Sequence, residues 1–233
     1  MHTLLRILHE SRDFAVVDKP SGLLSVPGKG PAKQDCVASR IRAMFPHASG
    51  PLIVHRLDMD TSGLLVVALT PDAQRELSRQ FEQREVEKAY VAMLDGEPKV
   101  KQGCIDLPIR TDIDNRPHQI VDFIFGKPSQ TRYRVLARNS TTLTTSTAPH
   151  HSRVRFEPIT GRSHQLRVHA ATPATLLRND GDWVAGGLGC PILGDPLYGD
   201  PMSAPRLMLH ASELAFKDPE TGAHVSFSSE PEF

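Results

Sequence analysis

Residues 51–70 read PLIVHRLDMDTSGLLVVALT, two runs rich in leucine and β-branched residues on either side of the polar hexapeptide 58–63, DMDTSG. Branched and aliphatic side chains pack well on a pleated surface, so the pattern predicts strand, functional loop, strand. A helix is expected next. Thr70, Pro71 and Asp72 supply an N-cap, a proline at the first helical position and an acid in the first turn, and Ala73, Leu77 and Phe81 then form one apolar stripe.

Working outward, FAVVDKPSGLLSVPG (14–28) reads as a strand ending in a turn at Pro20 and Gly22. It is followed by a helical spacing of Val37, Ile41 and Phe45. Downstream, KAYVAMLDG, GCIDLPIR, PHQIVDFIF, QTRYRVLAR and SRVRFEPI are short alternating runs between turn residues, the signature of an antiparallel sheet. The threonine-rich run STTLTTSTAPHH (140–151) is expected to be a hairpin loop. The predicted class is α+β, with a mixed, mainly antiparallel sheet and flanking helices. No repeat or linker divides the chain, so 1–233 is taken as a single domain, with room for two subdomains meeting at a cleft.

Composition removes several classes. With 39% hydrophobic and 23% charged residues, the 233-residue chain can build a core and is not a disordered polyelectrolyte. Its longest apolar runs, such as 63–69, fall far short of the ~20 residues that span a bilayer, and the N-terminal stretch lacks a signal peptide's apolar segment. A cytoplasmic protein without a membrane partner is expected. Cys36, Cys104 and Cys190 form no C-x-x-C pair, and their odd number suits reduced thiols.

The zero net charge hides a separation. Residues 101–178 hold 12 basic and 5 acidic side chains, whereas residues 179–233 hold 2 and 9. Such an excess is either a chance of surface loops or a basic face for a polyanion such as RNA, since phosphate contacts depend on local charge.

Metal sites find little support. Asp58, Asp60, Ser62 and Gly63 match the start of an EF-hand loop, but Leu69 stands where its bidentate Glu is needed. His164 and His169 have the wrong spacing for a zinc helix motif, and no cysteine cluster completes a site. Neither a Walker loop nor a dinucleotide fingerprint is present. What stands out is Asp58 itself, beside His55 and Arg56 and followed by Thr61, Ser62 and Gly63. Between two apolar strands such a carboxylate is either a turn cap or a positioned reactive group. A second cluster, ITGRSHQLRVH (159–169), concentrates Arg162, His164, Gln165, Arg167 and His169. On a helix, Arg162, Leu166 and His169 would share one face, and Ser163 and Arg167 another. An Arg167 near Asp58 would keep the carboxylate ionised and oriented.

HRLDMDTSG, KAYVAMLDG, and ITGRSHQLRVHA followed by PILGDPLYGD resemble the three motifs of the RluA-type pseudouridine synthases, and VVDKPSGLLSVPG resembles their N-terminal motif. The likeness covers about residues 13–216. DNRPHQIVDFIFGKPSQTRYRVL (114–136) is similar to the branch acting on both a tRNA anticodon loop and a 23S ribosomal RNA hairpin. The resemblance implies the pseudouridine synthase fold, with a central RNA-binding catalytic cleft; the separate S4 domain that some members carry is not expected in this chain. It also implies isomerisation of uridine in RNA without cofactor or metal, by a protein expected to be a monomer.

Three residues are implied to be catalytic: Asp58 as the catalytic aspartate, Tyr90 stacking on the extruded uracil, and Arg167 pairing with Asp58. Arg56 would enter the RNA where the base leaves. His55 would support the loop or contact phosphate, and Lys88, Arg162 and His164 would bind the backbone. Ile192 and Leu209 are candidates for an apolar pocket wall. The chain departs from the pattern between His169 and Pro191, where the resemblance implies a much shorter connection than the segment around 172–189 provides.

Two rival classes are weighed against this reading. A non-catalytic RNA-binding or RNA-folding protein would have no need of a carboxylate facing a polyanion. A glycosidase would need a second carboxyl group, for which Asp60 is the sole nearby sequence candidate.

Overall fold

The computed structural model describes residues 5–138, 150–178 and 180–233, so most of the threonine-rich run, 140–149, lies outside the described residues. In chain order the strands are β1 (Arg6–Glu10), β2 (Phe14–Lys19), β3 (Ser62–Ala68), β4 (Glu87–Asp95), β5 (Gln102–Asp106), β6 (Ile109–Thr111), β7 (Gln119–Val121), β8 (Gln130–Arg138), β9 (His151–Pro158), β10 (Thr175–Leu177), β11 (Trp183–Ala185), β12 (Leu209–Lys217) and β13 (His224–Ser228). The helices are α1 (Val37–Met44), α2 (Pro71–Gln83) and α3 (Gln165–Ala171). This is the α+β, mainly antiparallel architecture expected. Among the described residues, no helix is long and apolar enough to cross a membrane.

The chain forms two compact units, one of residues 1–89 with 210–232, the other of residues 90–209 with Phe233. In the first, β2 pairs antiparallel with β1 and β3, β3 lies parallel to β12, and β13 closes on β12. Every residue of β3 is buried, so its continuous apolar run reflects a strand covered on both faces. Phe14, Val16, Leu64, Val66, Leu77, Leu214 and Phe216 make the core. α2 starts as its sequence dictates, with the Thr70 hydroxyl accepting from the Ala73 amide. The buried Gln80 side chain donates to the Lys217 carbonyl and accepts from its amide, tying the helix to β12.

One expected strand is absent. The run 51–54 makes only an isolated bridge, Ile53 to Val67. Leu52 takes a left-handed backbone (φ 67°) and the Ile53 amide bonds back to Pro51, a tight turn that an extended strand cannot contain. Leu52 is nonetheless fully buried, which is where its apolar character is used.

In the second unit, β4 pairs with β9, β9 with β8 and β8 with β5, all antiparallel. Register and alternation place Tyr90, Phe156, Thr131 and Tyr133 on one face. α3 packs on that face, since Gln165 and His169 both bond the Thr131 hydroxyl. The core there includes Met93, Leu94, Phe156, Leu166 and Leu193, and it also buries Ile192 and Leu209. Within the segment around 172–189, β10 pairs antiparallel with β11. Leu176 packs on the core, Trp183 is exposed, and Arg178 sits over the Phe123 ring at 5.6 Å.

Candidate active site

Asp58 opens a turn whose backbone is fixed almost atom by atom from the segment after β2. The Ser25 hydroxyl donates to the Leu57 carbonyl (2.7 Å) and accepts from the Leu57 amide. The Gly22 amide and the Lys19 ammonium both donate to the Met59 carbonyl, and the Ser21 hydroxyl donates to the Asp60 carbonyl. The Thr61 amide then closes the turn on the Asp58 carbonyl. The motif DKPSGLLS is therefore the clamp of the Asp58 turn. Lys19 is fully buried and also bonds the carbonyls of Pro20 and Leu23. Burial lowers its pKa to about 7, against the pull of Asp60 and Asp58.

The Thr-Ser-Gly end of the motif has equally specific uses. Ser62 bonds His210 Nδ1 at 2.9 Å, and His210 Nε2 lies 3.2 Å from the Ser229 carbonyl. Gly63 has φ 109°, and a Cβ there would sit 2.3 Å from the Ala211 carbonyl oxygen. Only glycine permits this close parallel approach of β3 and β12.

Around the same turn, the His55 ring stacks on Phe81 (4.3 Å between centroids) and its Nε2 accepts from the Val66 amide. Burial first, and Lys88 second, depress its pKa to about 3, so the ring is neutral and built into the protein. Lys88 Nζ lies over the same Phe81 ring at 5.7 Å, and burial lowers its pKa. Arg56 is exposed.

In the second unit Tyr90 is half-buried at the start of its sheet and packs against the core. Arg162 and Ser163 precede α3 rather than sharing its faces, because the helix begins only at Gln165. The buried Gln165 amide explains the boundary: its oxygen accepts from the Thr160 hydroxyl and the Arg162 amide, while its nitrogen donates to Gln130 and Thr131. His164 consequently adopts a left-handed backbone, with Nδ1 2.8 Å from the Tyr198 hydroxyl. Arg162 Nε donates to the Pro128 carbonyl.

Arg167 is almost fully buried and forms a two-pronged pair with Asp195, Nε to Oδ2 at 2.8 Å and Nη2 to Oδ1 at 2.5 Å. Its guanidinium also faces the Tyr198 ring at 5.3 Å. Asp195 is itself fixed by the amides of Leu197 and Tyr198. Gly194 before it has φ 71°, and a Cβ would meet the Arg206 carbonyl at 2.0 Å. PILGDPLYGD is thus the device that holds Arg167. The sequence reading missed Asp195, Tyr198, Gln165 and Lys19 as positioning groups, although all four lie inside motifs it had singled out.

The chain as a whole is similar to known proteins. A family model described as RNA pseudouridylate synthase matches residues 13–172. The chain belongs to the RNA pseudouridylate synthase family. It is 44% identical over 230 residues to the dual-specificity RNA pseudouridine synthase RluA of Yersinia pestis, a match covering 97% of this chain and 99% of that one. The protein of the same name from Escherichia coli strain K12 is 44% identical over 232 residues, covering 98% and 94%. Among solved structures, human RNA Pseudouridylate Synthase Domain Containing 1 aligns with a TM-score of 0.74 at 31% identity, over 99% of this chain and 84% of that one. The enzyme is an RNA pseudouridine synthase, an isomerase.

Proposed function

We propose that this enzyme isomerises uridines in two RNA settings, a tRNA anticodon stem–loop and a 23S ribosomal RNA hairpin. The observation that carries this is the 44% identity, over nearly the whole chain, to synthases described as dual-specificity. The reaction is internally balanced. The C1′–N1 bond breaks, the uracil turns, C1′–C5 forms, C5 gives up a proton and N1 takes one, so no co-reactant is consumed. We assign it to a cytoplasmic monomer working without metal or cofactor.

In this reading Asp58 is the catalytic carboxylate. Attack at C1′, removal of a sugar proton and addition to the base all require the same oriented oxygen, and the clamped turn supports that need. Tyr90 stacks on the extruded uracil, which offsets part of the few kcal/mol that unstacking costs. We assign to Arg167 the role of keeping the Asp58 carboxylate ionised and oriented. Arg56 enters the RNA where the base leaves, and Lys88, Arg162 and His164 bind its backbone. His55 serves the loop, as its stacking and neutral state suggest. The test of dual specificity is a map of pseudouridine in tRNA and 23S RNA from cells lacking the gene. Loss at one site in each RNA is expected, and loss in only one class contradicts the dual assignment.

A further inference from the structure

The basic excess of residues 101–178 does not gather on one side of its sheet. Alternation puts Arg132 and Arg134 of β8, and Arg153 and Arg155 of β9, on the face opposite Tyr90 and α3. Arg153 is drawn to the carbonyl and ring of Phe233. The other three line an open depression of about 510 Å³ with Gln102, Cys104 and Glu157. Arg134 stands directly opposite Arg155 across the strand pair. Like charges in that position destabilise a sheet, and Glu157 is bonded to Arg155 at 2.8 Å. Arg132 and Arg134 are exposed.

We propose that this arginine face binds the phosphodiester backbone of an RNA helix flanking the target uridine, a contact separate from the one that receives the base. The exposed Arg132 and Arg134 present their guanidinium forks on this face, and such forks suit phosphate oxygens. The face borders β5, the outermost strand of the four paired in this unit, so RNA extending past that edge reaches it. The proposal rests on RNA being the substrate.

The test compares a folded RNA that carries the target with its flanking helices and the minimal stem–loop alone. Kd is measured against salt for wild type and for the double variant Arg132→Gln, Arg134→Gln, with thermal melting to verify folding. For the long RNA the variant should bind about tenfold more weakly, and the slope of log K against log salt should flatten by about 2, since each duplex phosphate contact contributes about 0.9. Binding of the stem–loop and turnover on it should not change, and Arg132→Lys with Arg134→Lys should keep the slope. Cys104, the exposed one of three cysteines, faces Arg132 across β5 and β8. The long RNA should slow its alkylation in the wild type, and the stem–loop should not.

An unchanged slope with the long RNA, or unslowed Cys104 alkylation, overturns the proposal. So does equal weakening on both RNAs, which would put these arginines at the target site. A wild type inactive on both RNAs would instead overturn the activity reading beneath it, and so separates the two failures.

Discussion

Arg167 and Asp195 are both almost wholly removed from water, and neither is tolerable there alone. Removing one partner of a buried pair leaves an uncompensated charge, at a cost of about 3–5 kcal/mol. Asp195→Ala should therefore destabilise the enzyme by that order in urea unfolding. Asp195→Leu combined with Arg167→Leu should cost clearly less than the two single changes added together, and additive costs would contradict the pairing. The pair also shows where sequence reading stops. Arg167 was legible because GRSHQLRVH concentrates basic residues, but its partner lies 28 residues away, and spacing alone does not link them. The same applies to Lys19, which stands before a proline in the sequence and is fully buried, its ammonium spent on three carbonyls.

Among the elements, the Asp58 turn depends on two neighbours that the sequence displayed without explaining. Gly63→Ala would drive a methyl group into the Ala211 backbone at a left-handed position, a strain of about 1–3 kcal/mol or more. Thermal melting should show the loss, with Asp58-dependent turnover falling alongside it. Lys19→Met removes the donor to three carbonyls, of which that of Leu23 is buried and costs about 1–3 kcal/mol if left unsatisfied. A Lys19→Met enzyme with wild-type stability and rate would contradict the clamp. Helix α2 was legible from Thr70-Pro71-Asp72 because a cap is a local device. The missing strand at 51–54 was not, because the positive φ of Leu52 belongs to tertiary packing that buries an apolar side chain in a turn. The hairpin β10–β11 was likewise hidden, since three-residue strands are too short to show a period.

For the whole molecule, the pH response follows from two buried imidazoles. Burial depresses His55 to about 3 and His169 to about 4, each below the ordinary histidine value of 6.5. The unfolded imidazoles therefore bind more protons than the folded ones between these limits, so the histidines' contribution to stability is complete above pH 6.5 and drains away as pH falls. His169 alone should withdraw on the order of 3 kcal/mol by pH 4. Urea midpoints at pH 7, 5.5 and 4 should decline accordingly, and His169→Gln should flatten the decline; a midpoint indifferent to pH in this range would contradict it. Net neutrality, too, is a property of the whole that misleads. The sequence located a basic stretch at 101–178, but only strand register reveals that Arg132, Arg134, Arg153 and Arg155 share the sheet face opposite the one covered by α3, which carries Arg167.

The central claim is that Asp58 carries the isomerisation. It is tested most directly by tritium release from RNA labelled at uridine C5, comparing wild type with Asp58→Asn, a change that keeps the side chain's size within the clamped turn. The account predicts release by the wild type, and a fall of about a thousandfold or more in the variant, the order expected when a positioned catalytic carboxylate is lost, with melting and RNA affinity retained. Release at a wild-type rate by a folded Asp58→Asn enzyme would contradict it.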